Sequence, residues 1–424
     1  MFRFSYMLVM VVAATLLATP PAWGRTIRFA DWLGMNTPFL MFDHDMRDRQ
    51  MAALNALGLK WVRVPLHWYH LEPQEGVYEL AALDDTATQL AAHGLEALFC
   101  LVGSSRFATT APVGTTDYID VWPPRDNAEF ADRLVRLAAR YPMVKYWQIW
   151  NEPNSPGFWQ PQEDAAAYAH LFTTAATALK TALPDRKAVM AGMMYFSVMP
   201  TSGKLMLQVL GESGDVSRAD VVAYHPYTDQ PEGEPGTVLL ETGNWLNAGL
   251  RRFGAHEIWA TEFGWSTYPG PVVMQSLISE DEQADYLLRR LSLMMTMDYD
   301  RVFWFALSDL DERAPPRDRF YGLLRRDGTP KPAYHALAYY LRVLGPEVTL
   351  LETPPAPTEV HLQGWRTADG RRVYLVWGPA GTSATLPRFK QAQQHDPLQQ
   401  KHQTLPADTP ITLTGSLLMV EVTE

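Results

Sequence analysis

The chain has 424 residues, with 36 lysines and arginines against 47 aspartates and glutamates, a formal charge of −11. That balance argues against a nucleic-acid partner, whose phosphates need a basic face. Apolar residues at 47% and charged residues at 20% are typical of a globular protein and exclude a disordered chain or a multispanning membrane protein.

In chain order, the first feature is an apolar run from Met7 to Ala18 behind the single charge of Arg3. It is too short to span a bilayer and is followed by Pro20, Pro21, Ala22 and Gly24, which suit cleavage before Arg25. We expect residues 1–24 to be a signal peptide and the protein to be periplasmic or extracellular. An uncleaved inner-membrane anchor is the alternative.

From there, short strand-like runs alternate with longer helical patterns. The strands fall at Ile27–Ala30, Trp61–Pro65, Ala97–Val102, Lys145–Trp150, Ala188–Met193, Val221–His225, Ile258–Thr261 and Val302–Ala306. The helices fall at Asp43–Leu59, Leu83–Ala92, Asn127–Arg140, Asp164–Leu183, Ser202–Leu210, Leu239–Phe253, Glu280–Met297 and Pro332–Leu344, most of them stopped by glycine or proline. Such alternation predicts an α/β fold, a (β/α)8 TIM barrel over residues 25–345. An open doubly wound sheet is the alternative, but no glycine-rich phosphate loop follows any strand. Cys100, the sole cysteine, lies in the apolar run Leu95–Val102 and reads as a buried, inert thiol. Residues 346–424 alternate or are β-rich, with turn signals such as Asp369-Gly370. They predict a small C-terminal all-β domain, sandwich-like, in which the polar stretch Gln391–Gln403 is a loop.

Barrel active sites form where the strands end at their C-termini. The fourth predicted strand runs into Trp150-Asn151-Glu152-Pro153-Asn154 and the seventh into Thr261-Glu262-Phe263-Gly264-Trp265. Two carboxylates facing one cleft are what glycosidic cleavage requires: one protonates the leaving oxygen, and the other attacks the sugar carbon or activates a water. His67 and His70 are three apart beyond strand two, without the partners of a metal site, so no metal or redox cofactor is implied.

Trp150-Asn151-Glu152-Pro153 with Glu262 resembles clan A of the glycoside hydrolases. Within it the chain looks most like family 39, which includes β-xylosidases and endo-acting enzymes encoded with bacterial biofilm exopolysaccharides. The stretches that suggest this are Trp68 with Leu71-Glu72-Pro73 and Gly76-Val77-Tyr78, then Trp147–Asn154, then Tyr321-Gly322-Leu323 with Lys331-Pro332-Ala333-Tyr334. The resemblance implies that Glu152 is the general acid/base and Glu262 the nucleophile of a retaining double displacement. It implies further that Asn151 bonds the sugar 2-hydroxyl and that Arg63 sits near the nucleophile, where its charge would hold Glu262 ionised. His225 and Tyr227 resemble residues that bond the nucleophile and the sugar. Trp304 resembles the aromatic floor of the sugar subsite, although Phe303 and Phe305 beside it leave a plain core role open. Asp31 and Asn36 either bind sugar hydroxyls or cap the first helix.

Trp68, Trp122, Trp150, Trp159 and Trp265 fall in or near strand-end loops and read as stacking platforms along a groove. They suggest an endo-acting enzyme on a carbohydrate polymer, with an exo-acting pocket as the alternative. A transglycosylase and a non-hydrolytic sugar-binding component of an export system are the competing classes. The expected partner is an oligo- or polysaccharide, and the expected state a monomer.

Overall fold

A computed structural model of the protein describes residues 24–423 except 117, 235, 236 and 274. The export signal expected at residues 1–24 therefore lies outside the described residues but for Gly24. Eight parallel strands close into a barrel: Leu33–Asn36, Trp61–His67, Glu96–Val102, Tyr146–Asn151, Lys187–Met194, Val221–His225, Glu257–Ala260 and Arg301–Trp304, the last pairing with the first. Helices join them, two of them at the predicted bounds, Asn127–Arg140 and Pro332–Leu344. Several of their starts are capped by side chains. Asp43 accepts from the Met46 amide, Asp164 from Ala167, and Ser279 forms a reciprocal box with Glu282.

One predicted strand is misplaced. Ile27–Ala30 is not the first barrel strand. Thr26–Arg28 pairs antiparallel with Glu347–Leu351 outside the barrel, and Leu33–Asn36 opens the barrel instead. The burial patterns explain the swap. Thr26–Arg28 buries only Ile27, as a strand with one solvated face does, whereas all four residues of Leu33–Asn36 are buried, as a barrel strand requires.

The barrel is filled in layers. Trp61, Leu98, Val189, Val221, Ala223, Trp259 and Phe303 form its lower core. Val62, Val64 and Leu66 point the other way, into the apolar layer shared with the helices. Alternation therefore aims Trp61, Arg63, Pro65 and His67 into the barrel from the second strand.

The C-terminal residues form an antiparallel sheet of seven strands, one of them Thr26–Arg28. The expected loop over Gln391–Gln403 is instead a hairpin of Gln391–Asp396 with Lys401–Pro406. Its outer strand is almost wholly solvent-exposed, so it carries no apolar alternation for a sequence reading to detect. The Trp377 indole donates to Glu232 Oε1 at 2.8 Å, tying the sheet to the loop after the sixth barrel strand. No helix among the described residues is long and apolar enough to cross a membrane.

Candidate active site

The fourth barrel strand ends with a reversal. Strict alternation from Gln148, which points inward onto Arg63, would aim Trp150 into the barrel and Asn151 out. Trp150 instead adopts a left-handed conformation, φ 74°, and Glu152 a second one, φ 46°. Each costs about 1–3 kcal/mol for a residue with a side chain. The Glu152 amide donates to the Gly192 carbonyl at 3.0 Å, and Asn154 grips both backbone groups of Met194, at 2.9 and 3.0 Å. These bonds hold the turn, which sends the indole outward and brings Asn151 and Glu152 over the barrel mouth.

Arg63 organises the floor. It is almost fully buried and uses its whole donor fork: Nε to Gln148 Oε1 at 2.7 Å, Nη1 to Asn36 Oδ1 at 2.8 Å and to Glu262 Oε1, and Nη2 to Asn151 Oδ1 at 2.7 Å. Glu262 Oε2 accepts from the Tyr227 hydroxyl at 3.1 Å. His225, fully buried, holds Nδ1 2.6 Å from Glu152 Oε1 and Nε2 3.1 Å from Thr261 Oγ1. It lies 3.8 Å from Glu262, so Glu152 and not Glu262 is its close partner. Glu152, His225 and Glu262 each place a ligand atom within 4.8 Å of the other two.

The two carboxyls are driven apart in acidity. Burial pushes Glu152 above the ordinary carboxylate range, reinforced by the nearby Glu262 charge and outweighing His225. Burial acts on Glu262 in the same direction, but there His225, Arg63 and the bonds from Arg63 and Tyr227 together prevail, and its pKa falls below the usual value. One group is thus biased toward its protonated form and its neighbour toward its ionised form, the kind of division that acid and nucleophile roles need. Among the described residues this trio is the group that could hold a metal. The fixed charge of Arg63 against Glu262, and the occupied nitrogens of His225, suit it to proton transfer instead.

Several sequence-based assignments fail here. Asp31 pairs with Lys60 at 2.6 Å beside the N-terminal end of the second strand, at the opposite end of the barrel from the carboxylates. It does not cap the first predicted helix, whose start is capped by Asp43. Asn36 bonds Arg63 and the Thr261 carbonyl and acts as a strut. Trp304 is fully buried with its ring against Phe263 and Trp265. Phe305, the inward neighbour of Phe303 by alternation, is the partly exposed ring on that strand end, 5.3 Å from Tyr321. That signal was present in the sequence. Trp68, Trp150, Trp159 and Trp265 are likewise buried, packed on Phe130, on one another or under Arg290, with their indole nitrogens bonded inside for Trp68, Trp150 and Trp265. They brace the strand-end loops and are not stacking platforms. Trp122 alone of the five keeps partial exposure. Cys100 is buried, its thiol pushed up to about 11 by burial.

Sequence reasoning gave no role in the site to Gln148, Thr261, Tyr321 or Gly192. Gly192 has a steric reason: a Cβ there would lie 2.0 Å from His225 Nε2 and 2.7 Å from Thr261 Oγ1. Gly192→Ala should therefore displace the imidazole from Glu152. The expected result is about a 10²-fold loss of kcat/KM, of the size that a displacement near 1 Å produces, with a cooperative melting transition retained. Wild-type kinetics in this variant would contradict the role given to His225.

No family model matches the chain. A curated β-xylosidase from Geobacillus stearothermophilus is 26% identical over 282 residues, 61% of this chain and 53% of the relative. The chain thus spans about half the length of the curated relative it matches. Among solved structures, a family 39 glycoside hydrolase from Bacteroides cellulosilyticus aligns with a TM-score of 0.71 at 21% identity, over 92% of this chain and 80% of that one. The chain is similar to the family 39 glycoside hydrolases. A monomeric β-xylosidase from Caulobacter crescentus gives 0.65 at 18% identity, over 95% and 97% of the two chains. The family 30 xylanase C of Talaromyces cellulolyticus gives 0.61 at 14%, over 95% and 99%. At these identities the structural likeness is one of fold.

Proposed function

We propose that the protein is a retaining glycoside hydrolase of the family 39 type, cleaving β-linked sugars with Glu262 as nucleophile and Glu152 as acid/base. The observation that carries this is the pair of carboxyls with ligand atoms within 4.8 Å and opposite pKa shifts. Retaining enzymes hold their carboxyls about 5–5.5 Å apart, whereas inverting ones need about 6.5–9.5 Å to fit a water between.

Glu262 attacks the anomeric carbon as the bond to the leaving oxygen breaks and Glu152 gives that oxygen its proton. A glycosyl ester on Glu262 results. Water then attacks the same carbon, Glu152 takes its proton, and the sugar leaves with its β configuration. Asn151, held through Oδ1 by Arg63, keeps its amide nitrogen for the substrate.

The curated relative's name, a β-xylosidase, supports β-xylosides as the first substrates to try. An endoxylanase from Clostridium papyrosolvens among the fold neighbours supports endo-action on a polymer, and a bacterial exopolysaccharide is the polymer class we propose. With an export signal at residues 1–24, the enzyme would work in the periplasm or outside the cell.

The test is proton NMR of the anomeric signals during hydrolysis of a β-xyloside. The β-product should appear first and mutarotate later. Initial release of the α-anomer would exclude the double displacement. Fragment lengths from xylan and exopolysaccharides would separate endo- from exo-action.

A further inference from the structure

The active site does not account for His67. This residue ends the second barrel strand on its inward side, four residues beyond Arg63. At about 3.3 Å per residue it stands roughly 13 Å further toward the open end than the arginine that holds Glu262. Its side chain is 37% exposed, and its Nδ1 lies 2.9 Å from Asp120 Oδ2. The carboxylate accepts the Nδ1–H, which sets the ring plane and leaves Nε2 without a bond among the described residues.

Asp120 comes from the loop after the third strand and is itself held in place. Gly103, at φ 79°, packs against it so closely that a Cβ would lie 2.6 Å from its Cβ and 2.7 Å from its Cα. Only glycine permits that approach in that conformation. Tyr69 and His70 crowd the imidazole, with ring centres at 6.1 and 5.8 Å. Two loops thus converge to present one oriented imidazole nitrogen above the barrel mouth. The strand rise puts the carboxylates below it, by roughly the 13 Å that separates His67 from Arg63 along the strand.

We propose that His67 binds a hydroxyl of a sugar unit beyond the one held by Glu262, with Asp120 as the positioning residue that orients it. The cleft then favours an oligosaccharide or polymer over the glycoside of a single sugar. A hydroxyl fits this site because an imidazole nitrogen in a half-exposed cleft exchanges one hydrogen bond at modest desolvation cost. The inference rests on the glycosidase reading above.

The experiment uses the purified full chain. kcat/KM is measured on 4-nitrophenyl β-xyloside, which offers one sugar, and on xylohexaose. For His67→Ala the ratio of hexaose to aryl-xyloside values should fall at least tenfold, with KM carrying the change, and Asp120→Asn should lower it in the same direction. A structural role would depress both substrates together and leave the ratio unchanged, which would overturn the proposal. Binding separates this from failure of the glycosidase reading. By calorimetry in a Glu262→Gln background, His67→Ala should weaken the best ligand among xylo-, gluco- and manno-hexaose at least tenfold, even if none is cleaved. Unchanged affinity, or no affinity for any of the three, would refute it.

Discussion

Glu262→Gln is expected to lower kcat by at least about 10⁴-fold on any substrate the wild type cleaves, with sugar affinity nearly kept. The amide is close to isosteric, and its oxygen can still accept from Arg63, so the floor of the site should survive. What it cannot do is form the glycosyl ester, because an amide is a far weaker nucleophile than a carboxylate. The residual rate should be that of the remaining acid and of binding alone. Single-turnover kinetics with a β-xyloside would measure it, and calorimetry with a xylo-oligosaccharide would show retained binding. A Glu262→Gln protein with wild-type turnover would remove Glu262 from the mechanism, and the retaining assignment with it.

The second large effect belongs to Glu152. Glu152→Gln should cost about 10²–10⁴-fold on substrates with poor leaving groups, the usual contribution of a positioned proton donor. With a nitrophenolate, which leaves without protonation, the first step should be spared and glycosyl-enzyme accumulate as a burst, because water then lacks its base. The pH profile gives an independent reading. Glu262 must be ionised and its pKa lies below the usual carboxylate value, so activity should fall on the acid side as it gains its proton, below the pH of an ordinary carboxylate. Glu152 must be protonated and its pKa lies above the usual value, so activity should fall on the alkaline side as it loses its proton. In Glu152→Gln the alkaline limb should vanish while the acid limb stays. Persistence of that limb would assign it to another group, with His225 the neighbour to test.

The barrel and its two carboxylates were legible because each depends on information carried locally. Strand and helix periods are set by neighbours two to four residues apart, and in a closed barrel any strand end faces the mouth. Glu152 and Glu262, 110 residues apart in sequence, therefore needed only the strand count to be brought together. Arg63 and Tyr227 were expected beside Glu262 only through the family resemblance, and both bond it.

What the sequence left undecided are the directions of side chains where regular alternation stops. Five tryptophans near strand ends suggested a groove of stacking rings, yet four are buried. The left-handed turn at Trp150 exchanges the inward and outward positions, and only the bonds from Glu152 to Gly192 and from Asn154 to Met194 make that turn tolerable. The misplaced first strand has the same origin. Ile27 and Leu33 both open short apolar runs, and the choice between barrel and outer sheet depends on Glu347–Leu351, more than 300 residues later. His67 and Asp120 show the limit most directly. They are 53 residues apart, one at a strand end and the other in a loop, and no pattern in either segment names the other. Sequence by itself determined the fold and brought two carboxylates to its mouth, since periodicity and strand order specify them. The reach of the cleft beyond that centre was decided by tertiary packing, because loops meet there with no repeat to read.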